Sequence, residues 1–513
     1  MKFFKPILIT CTFAMFLGAC TKLDETVYSK LTADNFYKTP EEVNAGLVNV
    51  YYRYAGAHIW LQQWQLQECS TEHGMCRWGD GDVYKQDQLH TWSSQHGPNG
   101  DVYNNLYGTI ASANNFLETL DKSVLTGKEV IAAEVKALRA TCYMELCDLY
   151  GNVPIVTAAT LDQKDLPTNA KRADVFTFVE KEFKDAIVSL PALKDMANKK
   201  AYYPRFAKET VQALLAKMYL NAQVYTGTAR WQDCITYCDL VINSGVYKLE
   251  PNIWNATAPD NDKSDELILA ISKDNKKFDF AVACWTNILS TPAEVEGAYR
   301  NGKLLVKYGG WGGPATLEQH YNTYEDADFR KSLILSGPVY GQTGNLLVTM
   351  KDFTNTDIYK FTDKPGEGLA CIKYQPDLDP LSSGPLQRND LVLLRYADIL
   401  LTKAEALTRL AGGQSLTGDA VQLVNAVRGR NFTPFNGFEF TTSNTLDDLL
   451  KERSREFLWE CSYRTDLVRF GKFTKVRTKW KLTDDAADGH TNLFPIPLGQ
   501  IQTNPNLKQN PGY

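Results

Sequence analysis

The sequence predicts a mainly α-helical protein, a tetratricopeptide-like scaffold of helical hairpins that carries a loop-rich elaboration. Apolar residues recur at helical spacing over most of the chain, and two later segments have the pattern of helix, turn and helix. Over about residues 250–390, glycine, proline, asparagine and aromatic residues replace that spacing. The scaffold is therefore predicted at about residues 30–250 and 390–475, with the elaboration between them.

The early helices are predicted from a capping signal and from apolar stripes. Thr39-Pro40-Glu41-Glu42 is a capping box with proline at the first helical position. The stripes then recur with a period close to 3.6 residues, and glycine or proline ends two of them. They cover residues 43–54, 102–120, 131–149 and 175–190.

Two segments predict helical hairpins. Small residues such as Ala213, Ala216 and Ala404 would let paired helices approach closely. Such hairpins bury their apolar faces only by stacking on neighbours, as tetratricopeptide-like repeats do. The segments are "KETVQALLAKMYLNAQVY" followed by "WQDCITYCDLVINSG", and "LLRYADILLTKAEALTRLAGG" followed by "DAVQLVNAVRGR".

The N-terminus has the pattern of a secretory signal. Lys2 and Lys5 flank the start of an apolar stretch that is shorter than the roughly 20 residues a membrane span needs. The four residues 17–20, Leu-Gly-Ala-Cys, resemble the lipobox of bacterial lipoproteins. We therefore expect residues 1–19 to be a signal peptide, Cys20 to be lipidated, and residues 20–513 to form one domain. The alternative is an ordinary secretory signal in which Cys20 is incidental.

Charge and cysteine content exclude some classes of partner. A net charge of −5 and a pI near 5.8 argue against a nucleic-acid partner, which requires a basic surface. Cys69, His73 and Cys76 have metal-like spacing but no evident fourth ligand, so no metal or other cofactor is predicted. The other cysteines include two pairs on predicted helices, which we expect to be small buried side chains, although export also permits a disulfide. These pairs are Cys142 with Cys147 and Cys234 with Cys238.

Three carboxylates, Glu452, Glu456 and Glu460, are spaced four residues apart. Glycoside hydrolysis would need two of them to face each other across a cleft, about 5 Å or about 6.5–9.5 Å apart. On one helix and among several arginines, they instead predict a buried ion network.

Aromatic residues in glycine-rich segments are candidates for ligand binding. Trp78 lies in "CRWGDGDVY", Trp285 in "ACWTN", and Tyr308 and Trp311 in "KYGGWGGP". Glycines beside a ring let a ligand approach it, and a flat ring suits the apolar face of a sugar. The alternative is that each ring is a partly buried anchor. For Trp92 we expect core packing.

Taken together, these segments resemble the SusD/RagB family of Bacteroidetes outer-membrane lipoproteins. The resemblance extends over essentially the whole chain, and the ending is its most specific part. The matching segments include "NFYKTPEEVNAGLVNVYYRY", "WGDGDVYKQDQLHTW", "AEVKALRATCYMELCDLYGNVPIV", "ERSREFLWECSYRTDLVRFGKF" and "NLFPIPLGQIQTNPNLKQNPGY".

The resemblance implies a non-catalytic binding protein that is anchored to the outer membrane through Cys20 and faces the cell exterior. It would deliver oligosaccharides to a SusC-like TonB-dependent transporter. The helical hairpins would dock on the transporter, and the loop-rich elaboration would form much of the ligand platform. No cofactor is implied.

The resemblance predicts some site residues from a matching motif and others only from their region of the chain. The stretch Trp78-Gly79-Asp80-Gly81 matches a W-x-D-G stretch of the family's starch-binding member. Trp285, Tyr308 and Trp311 match only by region, and Arg77 and Asp80 are expected as polar partners because they adjoin Trp78. Two alternatives stay open: a peptide-binding member of the same family, and a helical glycoside hydrolase.

Overall fold

The computed structural model describes residues 37–513 except 60, 79–81, 163, 274–286, 355–363, 365 and 384–385. Cys20, Asp80 and Trp285 lie outside the described residues. Helices dominate the fold. The main ones are α1 (Pro40–Ile59), α2 (Val83–Leu89), α3 (Gly97–Lys122), α4 (Glu129–Leu149), α5 (Arg172–Ser189), α6 (Lys208–Leu220), α7 (Trp231–Asn243), α8 (Tyr396–Leu410), α9 (Gly418–Gly429), α10 (Leu446–Glu456) and α11 (Tyr463–Arg469).

Shorter helical turns and strands connect these helices. The turns are Leu61–Trp64, Gln65–Cys69, Leu193–Asp195, Lys199–Tyr202, Ala222–Thr226, Ile253–Thr257, Asn261–Lys263, Asn287–Ser290, Ala293–Val295, Glu318–Tyr321, Phe329–Leu333, His490–Asn492 and Leu498–Thr503. The strands are β1 (Met75–Cys76), β2 (Leu267–Ile271), β3 (Ala298–Arg300), β4 (Lys303–Leu304), β5 (Pro314–Ala315), β6 (Ile334–Leu335), β7 (Gly337–Gly341), β8 (Leu346–Met350), β9 (Ala370–Cys371) and β10 (Leu391–Arg395).

The long helices of the scaffold pack side by side with their neighbours in sequence, and only the short α2 lies between such a pair. Helix α1 packs on α3, α3 on α4, α4 on α5, α6 on α7, and α8 on α9. Helix α7 also packs directly on α8, although the loop-rich elaboration separates them in sequence. The predicted scaffold of helical hairpins is confirmed, and the elaboration leaves the stack without interrupting it.

The predicted helix start at Thr39 is confirmed. The backbone N–H of Glu42 donates to Thr39 Oγ1 at 3.3 Å, and the Glu42 carboxylate accepts from the backbone N–H of Lys38 at 2.6 Å and of Thr39 at 3.3 Å. These bonds occupy N–H groups that the first turn of a helix cannot pair internally.

Small residues and a tryptophan pack in the helical core as predicted. Ala213, Ala216 and Ala404 are fully buried, and so are the cysteines of the two helical pairs. Every cysteine in the described residues is a free thiol. Trp92 is 4% exposed, and its indole N–H donates to the hydroxyl of the C-terminal Tyr513 at 2.6 Å. The prediction of core packing for Trp92 is confirmed.

The two ends of the elaboration meet at one antiparallel pair. Strand β2 enters the elaboration and β10 leaves it, and the two pair from Leu391 opposite Ile271 to Arg395 opposite Leu267. Between them lies a four-stranded sheet in the order β4-β3-β7-β8, and the short pairs β1–β5 and β6–β9 lie beside it. A second apolar core joins these strands to residues 64–84 and 458–480.

A buried ion network fixes the elaboration to the scaffold, as the carboxylate spacing predicts. Arg395 contacts Glu266, Glu456 and Glu460 at 2.7–2.8 Å, and Arg330 contacts Glu452 and Glu456 at 2.8 Å. The expectation that the three carboxylates share one helix is wrong. Helix α10 ends at Glu456, and the chain turns at Trp459, whose φ is +62°, before it reaches Glu460.

In the described part of the chain, no helix is both long enough and apolar enough to cross a membrane.

Candidate functional site

The candidate site forms where strand β1 pairs with strand β5. Met75 lies opposite Ala315 and Cys76 opposite Pro314, and the backbone N–H of Arg77 donates to the carbonyl of Gly313 at 2.9 Å. This antiparallel register places Trp78, just after β1, beside the glycine-rich loop 308–313 that precedes β5. The structure thus brings together two aromatic segments that are far apart in sequence.

Trp78 and Trp311 form an aromatic pair at this junction. Their ring centroids are 6.3 Å apart with an angle of 43° between the ring planes, and Trp78 Nε1 donates to the backbone carbonyl of Trp311 at 3.2 Å. Trp78 is partly buried and also lies edge-on to Tyr84. Trp311 is 46% exposed. The two rings therefore form a tilted aromatic surface, in which the Trp78 ring packs against Tyr84 and the Trp311 ring is exposed.

Three glycines of the loop allow this close packing. A Cβ on Gly313 would lie 2.3 Å from the Trp78 ring, and one on Gly309 would lie 2.5 Å from the carbonyl oxygen of Ala293. Gly312 has a φ of +60°, and a Cβ there would lie 2.7 Å from the guanidinium of Arg77. Packing therefore favours glycine at positions 309, 312 and 313 of this loop.

Arg77 lies beneath the loop and not at the surface. Its position beside Trp78 in the sequence predicts an exposed polar contact for a ligand. Its side chain is 2% exposed and donates to the carbonyls of Glu367 at 2.6 Å and Ser290 at 3.4 Å. Alternation along an extended segment explains the difference, since neighbouring side chains point to opposite faces. The Arg77 side chain thus joins two segments of the elaboration, at Ser290 and Glu367, below the aromatic pair.

Tyr308 connects the loop to a segment that sequence reasoning missed. Its hydroxyl donates to the carbonyl of Ser382 at 3.0 Å, and Lys307 Nζ donates to the carbonyls of Asp379 and Ser382 at 2.9 and 3.0 Å. Lys307 Nζ also lies 4.9 Å from the centroid of the Tyr308 ring. Tyr308 is partly exposed, so its ring is held in place without being enclosed.

The segment held by Tyr308 carries two exposed leucines. Leu378 is 63% exposed and Leu381 is 67% exposed. Burial raises the pKa of Asp377, but hydrogen bonds from Arg388 and Ser382 outweigh it and hold that pKa well below its usual range. The ionised carboxylate of Asp377 keeps its hydrogen bonds to Arg388 and Ser382 and so stabilises this turn. In the sequence, only the stretch Asp-Leu-Asp-Pro, whose composition is typical of a turn, indicates this segment.

The histidine of the metal-like motif has other partners. His73 contacts Glu68 Oε2 through Nδ1 at 2.7 Å and Ser454 Oγ through Nε2 at 2.8 Å, and its ring stacks on Tyr463. His320 contacts the same Ser454 hydroxyl at 3.3 Å. All five side chains are buried. The described residues contain no group of three or more His, Cys, Asp or Glu side chains that could hold a metal.

We expect this buried cluster to make the protein sensitive to acid. Burial, together with the neighbouring His73 and Arg455, holds the pKa of His320 well below its ordinary value. The folded state therefore keeps His320 neutral, whereas the unfolded state takes up a proton below about pH 6.5. Stability should fall by about 1–2 kcal/mol between about pH 7 and about pH 5 from this residue.

Urea unfolding at both pH values measures this effect. His320→Gln should lose part of the acid sensitivity, and His490→Gln, which changes a partly exposed histidine, should retain it. An equal acid sensitivity of His320→Gln and the unchanged protein would contradict the assignment.

Comparisons with known proteins show similarity to SusD-type proteins. A model of the SusD family matches residues 355–513, and a second model, described as starch-binding and associating with the outer membrane, matches residues 22–220. The chain is thus similar to the SusD/RagB family over these two parts of its length. Among curated SusD-type proteins it is similar to the starch-binding protein SusD of Bacteroides thetaiotaomicron, with 27% identity over 87% of this chain and 84% of that one.

Solved SusD-type structures share the fold. A SusD homologue from Bacteroides thetaiotaomicron matches with a TM-score of 0.75 and 19% identity over 94% of this chain and 98% of that one. Surface glycan-binding protein A from Bacteroides fluxus matches with a TM-score of 0.72 and 19% identity over 93% and 100%. A laminarin-binding SusD-like protein matches with a TM-score of 0.69 and 23% identity over the same shares.

Proposed function

We propose that this protein binds glycans at the cell surface and delivers them to a SusC-like TonB-dependent outer-membrane transporter. The observation that carries the proposal is the pair of Trp78 and Trp311, which glycines and a buried arginine hold at the surface of the elaboration. A supported aromatic surface can stack on the apolar face of a sugar ring without being rebuilt on binding. The names of the SusD relatives, which bind starch, laminarin or surface glycans, support the same ligand class.

The proposed contacts are Trp78, Trp311 and Tyr308, with Arg77 as a positioning residue. Asp80 and Trp285 stay proposed contacts outside the described residues. The helical scaffold is the proposed docking face for the transporter.

The anchoring and domain boundaries are also proposals. A signal peptide at residues 1–19, lipidation of Cys20 and a single domain over 20–513 would tether this binding surface at the outer membrane, facing the exterior. The match to a model described as associating with the outer membrane supports this location.

We infer that the protein delivers its ligand without covalent chemistry. Two of the three carboxylates whose spacing suggested a helical glycoside hydrolase are engaged in the ion network. Glu452 and Glu456 are fully buried, and arginines neutralise both. Neither group can face a glycan.

Polysaccharide affinity electrophoresis tests the proposal. We expect the protein to be retarded by one class in a panel of plant, host and microbial polysaccharides. Trp311→Ala should weaken that binding about tenfold, because truncating a tryptophan at the centre of a binding surface typically costs more than 1 kcal/mol. Tyr52→Ala is the matched control, since Tyr52 is 59% exposed on helix α1 of the scaffold.

The control should bind as the unchanged protein does. Equal binding by Trp311→Ala and Tyr52→Ala would contradict the assigned site. Retention of a protein digest with no retention by any polysaccharide would favour the peptide-binding alternative.

A further inference from the structure

A cavity of about 150 Å³ lies where the helical scaffold meets strands β2 and β10. Its wall is formed by helices α1, α4, α6 and α11, by β10, and by the segment from Trp459 to Ser462. Trp78, Tyr308 and Trp311 do not line it. An apolar cavity of about this volume accommodates one benzene ring, so the size suits a single-ring molecule.

Several side chains that line this cavity carry a buried polar atom without a hydrogen-bond partner in the described part of the chain. Tyr54, Gln63, Trp64 and Arg453 line it, and each is at least 94% buried. Their atoms Oη, Oε1, Nε1 and Nη1, and Oγ of the lining Ser462, have no hydrogen-bond partner within the described part of the chain. Because a buried polar atom without a partner is costly, a molecule in the cavity is expected to supply these bonds.

The charges around the cavity are balanced. His58 contacts Glu145 at 2.9 Å, and Arg453 and Arg469 each contact Asp466 at 2.7 Å. Lys217 contacts Asp398 in the same way. Since each charged group already has a partner of opposite sign, the cavity favours a neutral ligand over an ion.

The wall also contains strained backbone and an aromatic corner. Trp459 and Cys461 have φ values of +62° and +53°, a region that non-glycine residues adopt at an energetic cost. The rings of Trp64 and Trp459 meet edge to face with centroids 4.8 Å apart. Strain of this kind persists where the surrounding structure holds a functional geometry. Here it holds the Trp459 ring at the wall.

We propose that this cavity binds one neutral polyhydroxylated molecule of single-ring size, in the class of monosaccharides. Hydroxyl groups both donate and accept, so they match the donors Arg453 Nη1 and Trp64 Nε1 as well as the acceptor Gln63 Oε1. Met144 and Leu393 supply apolar wall for the C–H face of such a ring. This cavity is separate from the surface aromatic pair, so the proposal for it does not depend on the proposed function.

Ligand-observed NMR with glucose, galactose, mannose and xylose tests the proposal, with glucuronate as the charged counterpart. We expect the purified protein and Trp311→Ala to bind a neutral sugar equally and to bind glucuronate more weakly. Gln63→Met keeps the length of the side chain and removes the acceptor. It should raise the Kd about tenfold, the effect of one buried hydrogen bond.

Loss of sugar binding in Trp311→Ala with full binding in Gln63→Met would overturn the proposal, and so would the absence of binding to every sugar. Should Gln63→Met fail to fold, crystals of the unchanged protein soaked with the same sugars decide the question. Density for a sugar ring in the cavity supports the proposal, and ordered water alone overturns it.

Discussion

Arg395→Met should lower the free energy of unfolding by about 3–5 kcal/mol, the typical cost of removing one partner from a buried ion pair. Arg395 is 1% exposed and contacts Glu266, Glu456 and Glu460. Burial raises the pKa of Glu456, but Arg430, Arg395 and Arg330 outweigh it and hold that pKa well below its usual range. Removing Arg395 would leave carboxylates buried with too few cations.

Urea unfolding measures this loss, and Lys122→Met is the control. Lys122 pairs with Glu118 on the exposed face of α3, where an ion pair contributes little. We expect a change below about 1 kcal/mol for the control. A similarly small change for Arg395→Met would mean that the network does not hold the elaboration on the scaffold.

Gly313→Ala should abolish most glycan binding while the protein stays folded. The added Cβ would lie 2.3 Å from the Trp78 ring, so the ring must move. That movement breaks the bond from Trp78 Nε1 to the Trp311 carbonyl and separates the two rings. Because both rings are then misplaced, we expect affinity to fall about 100-fold, more than for the loss of one ring.

Calorimetry with the bound glycan measures this change, with Gly108→Ala as the matched control. Gly108 lies on α3, and a Cβ there meets nothing within 4 Å. The control should bind normally. Unchanged affinity in Gly313→Ala would show that the spacing of Trp78 and Trp311 does not determine binding.

The helical scaffold could be predicted from sequence because its signals are local. The stripe over residues 131–149 predicts α4, which spans Glu129–Leu149, and the capping box predicts the start of α1 at Pro40. Each signal is contained within one element, so periodicity and capping were sufficient.

The site could be predicted only in part, because long-range pairing builds it. Trp78 and Trp311 are 233 residues apart, and the strands that join them are two residues long, too short for a detectable period. Adjacency to Trp78 suggested Arg77 as a ligand partner, but adjacency does not determine which way a side chain points. Likewise, the positive φ of Trp459 separates Glu460 from α10, and the sequence carries no glycine there to signal it.

The most direct test of the central claim is a crystal structure of the protein with an oligosaccharide of the polysaccharide class that it retains. We predict a sugar ring stacked on Trp311, with Trp78 and Tyr308 also in contact with the bound chain. A saccharide bound at full occupancy elsewhere on the surface, in contact with neither Trp78 nor Trp311, would contradict this prediction.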